Sequence, residues 1–213
     1  MTYEVYALDC ESTGVGNHPI HGHPQVIELA SIPLHNDLVP LIQKAGMFPI
    51  DKLIEDFTLQ GTVTRYRPSM GIHKRAFEVH GIHMRDLLTC KKSEDLVLPK
   101  GLKYLLGHNI QYDYRCLGKP DGYKLICTLG MAKKFDRQFG IGFPNHKLDT
   151  LVLYFYGKDA QPLIDNSHQA MADTVKVVLL LVKLLEYIPA IKTFDGLYTF
   201  TESLKSPKRV KKA

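Results

Sequence analysis

Tyr3-Glu4-Val5-Tyr6-Ala7-Leu8-Asp9-Cys10-Glu11-Ser12-Thr13 sets two acids directly behind a run of β-branched, aromatic and aliphatic residues. The run from Tyr3 to Leu8 predicts a strand that ends on Asp9. Residues two apart in an extended chain point the same way, so Asp9 and Glu11 present both carboxylates to one side. Neighbouring anions repel unless cations hold them, and hard divalent ions such as Mg²⁺ take oxygen ligands. Solvated strand edges carry such pairs too. The position behind an apolar strand, where a buried sheet delivers its active residues, is what favours a metal site.

Outward from this stretch, Gly14 to Pro24 reads as a loop rich in Gly, His and Pro, and Val26 to Ile32 as a second strand. Pro33 to Gly61 is ill-defined, with one amphipathic helix around Asp51 to Leu59. Thr62 to Tyr66 forms a third strand stopped by Pro68, and Lys74 to Leu88 a helix broken near Gly81. Short apolar strands at Leu102 to Leu106 and Leu125 to Cys127 then alternate with helices. Those helices are expected over Gln111 to Leu117, Leu129 to Phe139, Lys147 to Tyr156 and Ala170 to Tyr187. Three early strands as an antiparallel meander, followed by parallel strands between helices, imply one α/β domain with a mixed sheet flanked by helices.

Bulk properties agree. A chain of 213 residues with 45% hydrophobic and 23% charged residues suits one globular core. Lys205, Lys208, Arg209, Lys211 and Lys212 account for the whole net charge of +5, so the body is formally neutral. That tail reads either as an arm attracted to phosphate backbones, as a targeting signal, or as a solubilising terminus. Four cysteines without a C-x-x-C pair argue against a zinc ribbon or disulfide framework and fit a reducing, cytoplasmic setting. The opening Met-Thr-Tyr-Glu lacks the pattern of a secretory leader. Val175 to Ile188, interrupted by Lys176, Lys183 and Glu186, reads as a core helix rather than a membrane span.

Two further constellations lie at element ends. Gly107-His108-Asn109-Ile110-Gln111-Tyr112-Asp113 leaves a strand and enters a helix; Asn109 could simply cap that helix, and Asp113 could complement its dipole. Asn166-Ser167-His168-Gln169-Ala170-Met171-Ala172-Asp173 opens the last long helix, with Asn166 or Ser167 as N-cap. His168 and Asp173 would lie roughly 140° apart if both were helical, so His168 is expected on the frayed start or the preceding loop.

Together, these three motifs resemble those of the DEDDh exonuclease superfamily, which has a ribonuclease H-like fold, and particularly its exonuclease X-like members. Asp9, Glu11 and Thr13 match D-x-E-x-T; His108, Asn109 and Asp113 match the second motif, with Tyr112 at its aromatic position; His168 and Asp173 match the third. Val26 to Ser31, Arg67-Pro68 with His80-Gly81-Ile82, and Leu148 to Leu151 extend the likeness over about residues 3 to 187. Cys10 and Ser12 stand where threonines are commoner, and Asn36 to Gly61 is extra length without an assigned role.

The resemblance implies a 3′→5′ exonuclease domain over residues 1–190 and a C-terminal extension, 191–213, ending in the basic tail. It implies two Mg²⁺ or Mn²⁺ ions held by Asp9, Glu11, Asp113 and Asp173, with Asp9 bridging. His168 would be the general base, and Thr13, Gly14 and Asn109 would contact substrate. The product would be a nucleoside 5′-monophosphate, with single-stranded DNA favoured over RNA as substrate. Rival readings are an exoribonuclease of the same fold, a catalytically silent nucleic-acid-binding accessory module, and an unrelated metal-binding α/β protein. No membrane partner is expected, and a homodimer is compatible with the sequence. His18, His21 and His23 read as loop histidines, His80 and His83 as a helix end near the site, and Lys91 to Asp95 as a solvated loop.

Overall fold

The computed structural model describes residues 3–14 and 23–203. The chain opens with strands β1 (Val5–Ser12) and β2 (Val26–Leu34), followed by helices α1 (Val39–Met47) and α2 (Ile50–Gln60). Strand β3 (Thr62–Arg67), helix α3 (Lys74–His80) and the short strand β4 (Lys91–Lys92) come next. Strand β5 (Tyr104–Gly107), helix α4 (Gln111–Cys116) and strand β6 (Lys124–Cys127) complete the sheet. Helices α5 (Thr128–Phe139), α6 (Leu148–Tyr156), α7 (Gln161–Asp165), α8 (Ala170–Leu185) and α9 (Phe194–Ser203) close the chain.

The strands lie in the order β4-β3-β2-β1-β5-β6. Pairings β1/β2 and β2/β3 are antiparallel, whereas β1/β5, β5/β6 and β3/β4 are parallel. This is the expected mixed sheet, a meander extended by parallel strands. Side-chain alternation divides its faces. Val5, Ala7, Ile32 and Leu34 join the core beneath α8, while Leu8, Cys10 and Leu105 pack with Ile110 and Cys116 on the other side. The same parity carries Asp9 and Glu11 onto the α8 face.

Helix α8 is buried over most of its surface, with Val175, Val177, Val178, Leu179, Leu180 and Leu181 wholly buried. Each such side chain contributes about 1.5–3 kcal/mol, so α8 anchors the face on which it delivers Asp173. Gly107 closes β5 at a crowded point: a Cβ would stand 2.8 Å from Ile110 Cδ1 and 3.2 Å from the Leu8 carbonyl. Gly81, at φ 68°, ends α3 in the left-handed conformation and produces the expected break before a 3-10 turn at Met84–Leu87.

Several boundaries differ from expectation. β1 does not stop at Asp9: its ladder with β2 continues through Glu11↔Glu28 to Ser12. The ill-defined segment holds two helices, and α1 escaped notice because none of its residues is fully buried. Lys91 and Lys92, read as loop, pair with β3 as an edge strand. The segment after residue 190 begins as α9, which buries Phe194 and Leu197 in the main core. The basic residues of the tail, from Lys205 on, lie outside the described residues, as do His18 and His21. All four cysteines are free thiols. Among the described residues no helix is long and apolar enough to cross a membrane.

Candidate active site

The first acid pair is delivered by β1. Because the strand extends past them, Asp9 and Glu11 are fixed by the ladder with β2 rather than hanging from a strand end. Asp173 reaches them from the first turn of α8. One carboxylate oxygen from each of Asp9, Glu11 and Asp173 lies within 4.8 Å of the other two.

Asp113 lies outside that trio. It is buried on α4, and its Oδ1 accepts the backbone N–H of Cys10 at 3.0 Å, so it is bound to the strand between the two acids. Glu28 faces Glu11 across the ladder but is neutralised by Arg65, whose Nε lies 2.7 Å from Glu28 Oε2.

Burial and mutual repulsion raise these carboxyls. Burial pushes Asp9 well above the usual carboxylate range, and Asp113, Asp173 and Glu11 raise it further against the pull of Lys176. Glu11 is pushed up to about 8, by burial first and then by Asp173, Glu28 and Asp113. Burial pushes Asp113 up to about 7, although the N–H of Cys10 favours its charged form. Buried oxygen donors that resist ionising together fit a small hard dication, which would remove the repulsion. The trio meets that requirement with side-chain oxygens alone.

His168 precedes α8 in the left-handed conformation, φ 66°, and is exposed. Its loop position is the expected one, but the cap is not. Gln169 is the N-cap, but its side chain makes no capping bond and instead donates from Nε2 to Asn166 Oδ1 at 3.3 Å. Ser167, expected as a cap candidate, turns its hydroxyl to Asp149 Oδ2 at 3.0 Å, while Asn166 ends α7. His168 and Asp173 line a cleft of about 660 Å³ together with His108, Lys133, His146 and Lys147.

The expected substrate residues are arranged around the end of β1. Thr13 is buried as a brace: its Oγ1 accepts from Gln25 N–H at 3.0 Å, and its carbonyl accepts from His73 N–H at 2.8 Å. Gly14 is held through its carbonyl by Ser12 Oγ at 2.8 Å and Tyr112 OH at 2.6 Å. Asn109 is exposed at the β5–α4 turn with φ 65°, and its side chain does not cap α4. His108 is structural: its Nε2 donates to the His146 carbonyl at 2.9 Å, and burial lowers it to about 4.

Sequence reading missed Lys176, taken only as an interruption of an apolar helix. Lys176 is wholly buried, and its Nζ lies 2.5 Å from both Asp149 Oδ1 and Asp173 Oδ1. The available signal was its spacing from Asp173, three residues on the same helix face.

Exonuclease X in complex with 5′-overhanging duplex DNA is similar to this chain with a TM-score of 0.60, at 18% identity, covering 92% of this chain and 99% of its own. The two chains share one fold. E. coli exonuclease I with single-stranded DNA, in a zinc-bound form, matches with a TM-score of 0.56 at 16% identity. That match covers 92% of this chain but 42% of exonuclease I. A 3′-exonuclease that recognises the 3′ end of a histone mRNA stem-loop matches with a TM-score of 0.53 at 12% identity, over 88% of this chain and 84% of its own. No protein-family model and no curated protein sequence matches the chain. In this fold the acids come from three segments, β1, α4 and α8, and gather around the C-terminal end of the interior strand β1.

Proposed function

We propose that the chain is a metal-dependent 3′→5′ exonuclease that releases nucleoside 5′-monophosphates, with single-stranded DNA ends as its favoured substrate. The carrying observation is the convergence of Asp9, Glu11 and Asp173 oxygens within 4.8 Å, beside a cleft that His168 lines. Two Mg²⁺ or Mn²⁺ ions, when bound, would polarise the phosphodiester and make water a stronger nucleophile.

The protein's own groups do the rest. Asp9, Glu11 and Asp173 would hold one cation, and Asp113, with Asp9, would help to hold a second. His168, exposed to the cleft, accepts the proton of the attacking water. Lys133 and Lys147 on the cleft wall suit the phosphates of the strand. Ser12 and Tyr112 hold the Gly14 carbonyl still, so that Thr13, Gly14 and Asn109 can position the terminal nucleotide. DNA is preferred over RNA because exonuclease X, bound to duplex DNA, is matched along almost its whole length.

The test is a time course on 5′-labelled single-stranded DNA and a matched RNA, with Mg²⁺, with Mn²⁺ and with EDTA. A ladder shortening from the 3′ end only with metal is expected, faster on DNA. Faster shortening of RNA would reverse the substrate assignment, and no shortening of either would leave a binding module.

A further inference from the structure

Lysine is almost never fully buried unless paired. Lys176 is 0% exposed, in the middle of an otherwise apolar helix. Its ammonium donates to Asp149 Oδ1 at 2.5 Å and to Ser167 Oγ at 2.8 Å, and it touches Asp173 Oδ1 at 2.5 Å. Asp173 is the one acid of the four in direct ion-pair contact among the described residues. The contact is one of charge, since the geometry gives Asp173 Oδ1 no hydrogen bond.

The three partners play different parts. Asp173 belongs to the metal-fitting trio. Asp149 sits on α6 and is 38% exposed on its side chain, and Ser167 immediately precedes His168. A dication arriving at Asp173 meets a positive charge already there, and the two repel. Asp149 and Ser167 can keep the ammonium when Asp173 turns to the ion, so displacement does not strand a buried charge.

We propose that Lys176 is a resident cation of the acid site, holding Asp173 when no divalent ion is bound and weakening the affinity for the ion that Asp173 receives. This rests on the metal-site reading above but not on nuclease turnover. Lys176 is thus a positioning residue. Through Ser167 it also ties the loop of His168 to the same switch in charge.

The experiment measures Mn²⁺ binding by isothermal titration calorimetry and by electron paramagnetic resonance, without nucleic acid, on the full chain. Lys176→Met should bind Mn²⁺ about ten-fold or more tightly. Lys176→Arg, which keeps the charge, should bind like the wild type. A purely structural lysine would give weaker binding on removal, so equal or weaker binding by folded Lys176→Met overturns the proposal. Should that variant not fold, Asp149→Asn decides: it removes the alternative seat for the ammonium and should weaken Mn²⁺ binding several-fold, and unchanged binding overturns the proposal. A wild type that binds Mn²⁺ without cutting DNA or RNA sinks the nuclease reading alone. A wild type that binds no Mn²⁺ sinks both.

Discussion

The backbone N–H of Cys10 and Oδ1 of Asp113 meet at 3.0 Å across 103 positions of sequence. That bond seats the α4 acid against β1 between Asp9 and Glu11, and it gives the carboxylate a structural duty beside the metal-holding one proposed for it. The two duties separate by substitution. Asp113→Asn keeps an acceptor for Cys10, so its melting temperature in EDTA should match or exceed the wild type while hydrolysis falls at least ~100-fold. Asp113→Ala leaves the Cys10 N–H unsatisfied and should lose about 1–3 kcal/mol of stability as well. Equal melting of both variants would refute the bond's role.

The carboxyl group sets the pH response of the metal-free protein. Glu11, raised from 4.5 to about 8, and Asp113, raised from 3.8 to about 7, bind protons more tightly in the folded state than in the unfolded state. Raised groups stabilise fully below their unfolded values, and that contribution is lost as pH climbs through the folded values. Melting temperature in EDTA should therefore fall between about pH 5 and about pH 8. Saturating Mn²⁺ should flatten or reverse the slope, because ligation needs the deprotonated carboxylates. A flat profile in EDTA would contradict the electrostatic account.

His168 is exposed at a loop before α8. His168→Ala should lower turnover about 10²–10⁴-fold, with melting temperature and Mn²⁺ affinity close to the wild type. Comparable loss of stability and activity would mean that the residue acts through the fold rather than as a base.

Tyr112 places its hydroxyl 2.5 Å from Ser12 Oγ and 2.6 Å from the Gly14 carbonyl. Tyr112→Phe keeps the ring and removes both bonds, which should cost about 1–2 kcal/mol. KM for oligonucleotide should rise more than kcat falls, since the acids are untouched. Unchanged KM would disconnect Gly14 from substrate.

The acids were legible because polar residues beside apolar runs stand out, and the structure brings Asp9, Glu11 and Asp173 within 4.8 Å of one another. The strand boundary at Asp9 was misread because charge normally ends a buried strand, whereas here Glu28 on β2 continues the ladder opposite Glu11. Helix α1 has no fully buried residue and no side-chain N-cap, so its pattern carried little signal. Asn109 offered a plausible cap, but its positive φ places it outside the helix it was expected to start. Lys176 was hidden for a different reason. Its meaning depends on Asp149 and Ser167, which reach it from another helix and a loop.

The acids come from the first strand and from the last long helix, with α4 between. A ribosome therefore releases Asp9 and Glu11 early and Asp173 only once α8 begins to emerge. Chains that stop before α8 carry the first two carboxylates without the third, so the cluster of three oxygens has no way to assemble in them.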